Sequence, residues 1–286
     1  MTDTGIPSEL CARWQIAGAA LIADTRSSRI FRVERLGAPA AIVKMLKPEG
    51  VHERPGIDYL AWREGRGAVR LLDRSDDACL LEDAGTMILR DYHRQHGDEA
   101  ATEIVLAVLA ELHAPGTSPP HPDLVPLRRH FSALLDGADF GDPSLGETLR
   151  WAAGLAEQLL SAQTDIRPLH GDLHHDNIVS GTPRGWLAID PQGLIGDAAY
   201  DVANVFGNPI GGAKDILDPA RIERLAKCFS QSLGCSPEKI LRFAGAHAGL
   251  SISWFMEREA TKKRDANVAG RLAFAKLVRQ RLEGDS

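Results

Sequence analysis

The absences in this 286-residue chain narrow its function first. No apolar run approaches the roughly 20 residues a bilayer-spanning helix needs, so no membrane partner is expected. No block of basic residues appears and the formal net charge is −6, which argues against nucleic acid as a partner. The opening MTDTGIPSEL has neither a basic leader nor an apolar stretch, so no secretory signal is expected. Cys11, Cys79, Cys228 and Cys235 show no C-x-x-C spacing and read as buried, reduced thiols of a cytoplasmic protein. Internal repeats and low-complexity linkers are also missing. What remains is ordinary globular composition, 44% hydrophobic and 25% charged, in a chain long enough for one large domain or two unequal lobes.

The acids are unevenly spread. From Asp136 to Glu223 there are 14 acids against 5 bases, an excess that would concentrate a cationic ligand. Local patterning divides the chain near residue 86. Apolar runs at 20–23, 29–35 and 40–46, broken by DTRSS and LGAP, indicate an antiparallel meander. A helix is expected over 53–63, with Pro55 in its first turn, then a hairpin turning at SDD. Helical spacing dominates afterwards, over 99–114, 124–136, 145–162, 219–233, 237–257 and 260–282. Two short strands, NIVS and WLAID, interrupt it. The expected fold is α+β, with a sheet-rich lobe (1–86), a connection near 82–86 and a helical lobe (87–286).

Directly before NIVS stands HGDLHHDN, residues 170–177. Its histidines and aspartates suit zinc, as in a metal-dependent hydrolase. That reading leaves Asn177 without a role and finds only His247 beyond residue 175 as a further histidine. A phosphotransferase uses more of the pattern. It needs a carboxylate at the acceptor hydroxyl, a Mg²⁺ ligand on the same loop, a second metal carboxylate on a nearby strand and a lysine for the phosphates. The run matches H-R-D-L-x-x-x-N at every fixed position except the arginine. Asp172 then takes the acceptor proton, Asn177 and Asp190 (in AID) hold the metal, and Lys44 in AAIVKML holds the phosphates.

The segment LHGDLHHDNIVSGTPRGWLAIDPQGLIGDAAYDVAN resembles the aminoglycoside phosphotransferase family, with its H-G-D-x-H-x-x-N, I-D and G-D-x-x-Y-D-x-A pattern. GRGAVRLL, GWLAIDP and GLIGD look like its streptomycin 6-phosphotransferase branch, the aminoglycoside/hydroxyurea kinases. The resemblance implies a protein-kinase-like bilobal fold, ATP and Mg²⁺ as cofactors, and transfer of the γ-phosphate to the 6-hydroxyl of streptomycin. It makes Glu53 the ion-pair partner of Lys44, with Glu49 as the alternative. It puts Ser27 and Ser28 of DTRSS in place of a glycine-rich phosphate loop, and the backbone of Glu82, Asp83 and Ala84 beside the adenine.

His170 is expected to brace the loop, and His175 to be structural. Asp201 is expected to support the loop from GDAAYDVAN, where Asp197 suits a helix cap. His113 is expected in the core. Acceptor contacts are sought in His174, Asp197, Trp254 and Glu257, with Glu259 nearby, because streptomycin's guanidinium groups pair with carboxylates and stack on aromatic rings. A monomer binding a nucleotide and a cationic small molecule is expected. A kinase for another small hydroxyl metabolite is the alternative within the class.

Overall fold

A computed structural model describes residues 5–121, 123–137, 143–257 and 261–284. Helix α1 (Ser8–Arg13) precedes strands β1 (Ile16–Asp24), β2 (Ser28–Arg35) and β3 (Ala38–Leu46). The first turn closes because the Thr25 hydroxyl accepts the Ser28 amide at 3.0 Å. The second uses Gly37 at φ +69°. A 3₁₀ turn (Pro48–Glu53) and α2 (Arg54–Arg63) follow, then β4 (Leu71–Arg74) and β5 (Ala78–Glu82). The five strands form one antiparallel sheet in the order β1-β2-β3-β5-β4. Trp14, Phe31, Val33, Val43 and Leu80 pack as its small core.

The larger part holds α3 (Leu89–His96), α4 (Asp98–His113), α5 (Leu127–His130), α6 (Ser132–Leu135), α7 (Pro143–Ser161), α8 (Ala213–Ile216), α9 (Pro219–Leu233), α10 (Pro237–Met256) and α11 (Lys262–Glu283). Helix α10 is its axis. The small residues of AGAHAGLS let α7, α9 and α11 approach it closely, and its middle is buried on all sides. Two small sheets frame the loops of interest. One joins β6 (Met87–Ile88), β9 (Ile178–Ser180) and β10 (Leu187–Ala188). The other joins β7 (Val125–Pro126), β8 (Ile166–Leu169) and β11 (Leu194–Asp197), and a 3₁₀ run (Ala198–Gly207) leaves it.

The α+β division into an antiparallel sheet lobe and a helical lobe is as expected. The helix expected over 124–136 is not continuous. Pro126 has no amide to extend it, Val125 pairs with β11, and the non-helical Phe131 separates α5 from α6. Helix α3 and strands β6, β8 and β11 are too short to show a periodicity, and tertiary pairing defines them.

Two of the close backbone contacts between the lobes bear on the site. A Cβ on Gly56 would lie 1.9 Å from the Pro191 carbonyl oxygen, and one on Gly193 would lie 2.1 Å from that of Pro55. The start of α2 therefore sits directly on the DPQG turn after β10.

Candidate active site

That contact carries Glu53 to the first cluster. Lys44 lies on β3 between Ile30 and Cys79, its side chain 11% exposed. Its Nζ is 2.6 Å from Glu53 Oε2 and also ion-pairs with Asp190. Glu53, rather than Glu49, is thus the helix-side partner. Burial pulls the ammonium down, but Asp190 and Glu53 outweigh it and raise Lys44 above its ordinary value. Asp190 has φ +58°, a left-handed conformation unusual for a non-glycine residue, and its carboxylate is half exposed. This strained backbone presents the carboxylate to Lys44.

The loop 170–177 supplies the second cluster. Asp172 is held on both oxygens: Asn177 Nδ2 donates to Oδ2 at 3.0 Å and Asn204 Nδ2 to Oδ1 at 2.8 Å. Asn177 has committed its nitrogen, so its oxygen is the group left to offer a cation. His174 accepts the Asp176 amide on Nδ1, which puts the proton on Nε2, 3.7 Å from Asp172 Oδ2. Burial pushes the Asp172 carboxyl up, yet His174, then His170 and His247, override it and hold it below its ordinary value.

His170 braces the loop. It is fully buried, accepts the Asp172 amide on Nδ1 at 3.2 Å and so donates from Nε2 to the Ile189 carbonyl at 2.9 Å. Asp201 accepts the amides of His170 and Gly171 at 3.1 and 2.6 Å. His113, buried as expected, faces Asp201 from α4 with Nε2 at 2.9 Å and anchors the loop to that helix.

Several expectations require correction. Asp197 is 1% exposed and fully occupied: it accepts the Thr164 and Ala199 amides, both at 3.1 Å, and pairs with Lys239 at 2.6 Å. It caps the 3₁₀ run and has no face for an acceptor. Ser28 is 3% exposed and its hydroxyl turns toward Thr25, so it is no free phosphate donor; Ser27 lies in the same closed turn. The Glu82 amide donates to the Arg70 carbonyl and its carboxylate takes the Arg70 amide and Arg184, which leaves the backbone of Asp83 and Ala84 for a base. The Asp83 side chain is tied to Arg32. Trp254 is half-buried, with His130 and His247 edge-on at 5.1 and 6.1 Å. Glu257 is exposed beyond α10 and no ion pair joins it to the loop among the described residues. Glu259 lies outside the described residues.

The acidic excess is answered in space. Asp176 pairs with Arg90, Asp190 with Lys44, Glu147 with Arg279, Glu157 with Arg128 and Glu223 with Arg281, and each of these cations comes from outside the 136–223 stretch. The remaining field is weaker than the sequence count suggests.

His175 belongs elsewhere. With His93 and Asp98 it forms a buried cluster whose ligand atoms lie within 4.8 Å of one another. Both Asp98 oxygens already face guanidiniums, Arg221 at 2.7 Å and Arg224. Burial and then Arg221 push His175 down to about 3. This positive surrounding disfavours a cation. Sequence reasoning missed Asn204 and Arg271, whose guanidinium donates to Asn204 Oδ1 at 3.2 Å. Asn204 ends the GDAAYDVAN motif, but nothing in its spacing signals a contact with Asp172.

Residues 13–259 match the family model described as aminoglycoside/hydroxyurea antibiotic resistance kinase. The chain belongs to this family. The kinase is 37% identical over 248 residues to a streptomycin 3''-kinase of Klebsiella pneumoniae, covering 85% of this chain and 90% of that one. It is 29% identical over 202 residues to a streptomycin 6-kinase of Streptomyces griseus, covering 66% and 62%. In fold it is similar to a thermostable mutant of aminoglycoside phosphotransferase APH(4)-Ia, solved in ternary complex with ADP and hygromycin B. That likeness has a TM-score of 0.63 at 15% identity and covers 96% of the kinase and 98% of its neighbour.

Proposed function

We propose that this kinase transfers the γ-phosphoryl group of ATP to the 6-hydroxyl of streptomycin, with Mg²⁺ as cofactor. The carrying observation is the pairing of Lys44 with Glu53 and Asp190 opposite an Asp172 held by Asn177. Lys44 is the cation that meets the α- and β-phosphates, and Glu53 fixes its direction. The backbone of Asp83 and Ala84 receives the adenine. Asn177 and Asp190 offer hard oxygen donors, which suit Mg²⁺; when bound, the ion neutralises charge on the transferring phosphate. Asp172, ionised and held by two amides, orients the acceptor hydroxyl and takes its proton. His174 (beside Asp172), Trp254 and the exposed Glu257 are the acceptor contacts that remain from the sequence candidates.

Streptomycin as acceptor is supported by the curated relatives. The 3''-hydroxyl is the second reading, favoured by the 37% identity to the Klebsiella 3''-kinase over most of both chains. Incubation with Mg-ATP and a panel of aminoglycosides, hydroxyurea and small sugars, followed by mass analysis, tests the reading. One phosphate gained by streptomycin is expected, and ³¹P–¹H correlation on the product locates the ester. Transfer to other compounds alone would rule out streptomycin.

A further inference from the structure

The grip of Asn204 on Asp172 depends on which end of its amide faces the carboxylate. The two ends are almost the same size, so shape cannot choose; hydrogen-bond partners must. Two groups on the far side can only donate there. Arg271 Nη2 lies 3.2 Å from Asn204 Oδ1, and Asn208 Nδ2 lies 3.0 Å from it. A guanidinium has no acceptor. Asn208 Nδ2 also donates to the Asn204 carbonyl at 2.8 Å, which identifies it as nitrogen. Asn204 is thereby forced to present oxygen outward and nitrogen to Asp172.

Arg271 is built into this place. Its guanidinium lies against Gly207, where a Cβ would sit 1.3 Å from Nη1, so that position has room for no side chain. Burial lowers its pKa to about 10, with Asp172 opposing the shift, and the group stays charged at neutral pH. No carboxylate forms an ion pair with it among the described residues. The residue stands on α11, beyond the 13–259 segment that matches the family model.

We infer that Arg271 is a positioning residue for phosphoryl transfer, acting through Asn204 to hold the Asp172 carboxylate in its productive orientation. The inference rests on the reading of Asp172 as the group that handles the acceptor hydroxyl. Asn208 supports the same amide from the 3₁₀ side, but it is local to Asn204, whereas Arg271 ties the last helix to the catalytic loop.

The test compares the full-length kinase with Arg271→Met, Arg271→Lys, Asn204→Ala and the double variant Asn204→Ala/Arg271→Met. Arg271→Met is expected to lower kcat by roughly tenfold to a hundredfold, with KM for ATP within about twofold of the parent. Lysine, which keeps a charged donor, should restore part of the loss. The double variant should match Asn204→Ala alone, because the arginine has nothing left to orient. Multiplying losses in the double variant, or wild-type kcat in Arg271→Met, would overturn the inference. If Arg271→Met does not fold, Asn204→Ala carries the test: wild-type kcat in a folded Asn204→Ala protein overturns it equally. A second readout needs no turnover. The Asn204 side-chain amide signals in a ¹⁵N–¹H spectrum, assigned by their loss in Asn204→Ala, should move in Arg271→Lys; unmoved signals contradict the inference. Failure of the parent to phosphorylate any acceptor would refute the proposed function while leaving this second readout decisive.

Discussion

Lys44 is enclosed by two carboxylates and carries most of their compensation, so its loss is felt by nucleotide and metal groups together. Lys44→Met is expected to lower kcat/KM for ATP by roughly tenfold to a thousandfold, the scale of losing one aimed electrostatic contact; unchanged steady-state kinetics would contradict its role. Asn177→Ala and Asp190→Ala should instead shift activity to higher Mg²⁺ concentration, read by titrating Mg²⁺ at fixed ATP. Superimposable titrations would remove both from the metal site. These residues were legible in the sequence because phosphoryl transfer needs fixed residue types at short spacings, and HGDLHHDN followed by AID supplies them. Asn204 and Arg271 were not. The choice of amide end is made by partners far along the chain, and no spacing encodes it.

Among the elements, the 3₁₀ run after β11 tests the corrected place of Asp197. Removing that carboxylate deletes a cap and leaves Lys239 with only the Thr164 hydroxyl in place of its ion pair. Asp197→Ala is expected to cost about 1–3 kcal/mol of stability, measured by denaturant unfolding, with the acceptor KM of the folded protein unchanged. A raised acceptor KM at parental stability would return Asp197 to the acceptor site. Long helices such as α4, α7 and α9 were readable from periodicity, because each buries one persistent apolar face. The pieces β6, β7, β8 and β11 hold two to four residues each and exist through pairing with distant chain. They nevertheless aim the site: β8 leads directly into His170, and β11 leads through the 3₁₀ run to Asp201 and Asn204.

At the scale of the whole molecule, buried histidines link the active-site wall to folding. His130 accepts or donates to the Tyr200 hydroxyl at 2.8 Å, and that hydroxyl lies 3.0 Å from His247 Nδ1. Burial pulls His130 from 6.5 down to about 4, against the pull of Asp172, and also holds His247 well below its ordinary value. An unfolded chain binds protons that the folded chain refuses between those limits. Stability contributed by His130 is therefore complete above pH 6.5 and is lost as the pH falls toward 4. Denaturant midpoints are expected to fall between pH 7 and pH 5, and a smaller drop in His130→Gln would confirm the source; equal drops would contradict it. The acidic excess shows where a count along the chain misleads, since several of its carboxylates are paired by arginines and lysines that the fold brings from elsewhere.

The proposed reaction moves the γ-phosphoryl group from ATP directly to a streptomycin hydroxyl, whose proton Asp172 takes. Its most direct measurement is the rate of streptomycin phosphorylation from Mg-ATP by the parent beside Asp172→Ala. The expected result is phosphorylated streptomycin from the parent and a kcat lower by roughly 10²–10⁴ in the variant. No transfer by the parent, or parental turnover in Asp172→Ala, would contradict the account.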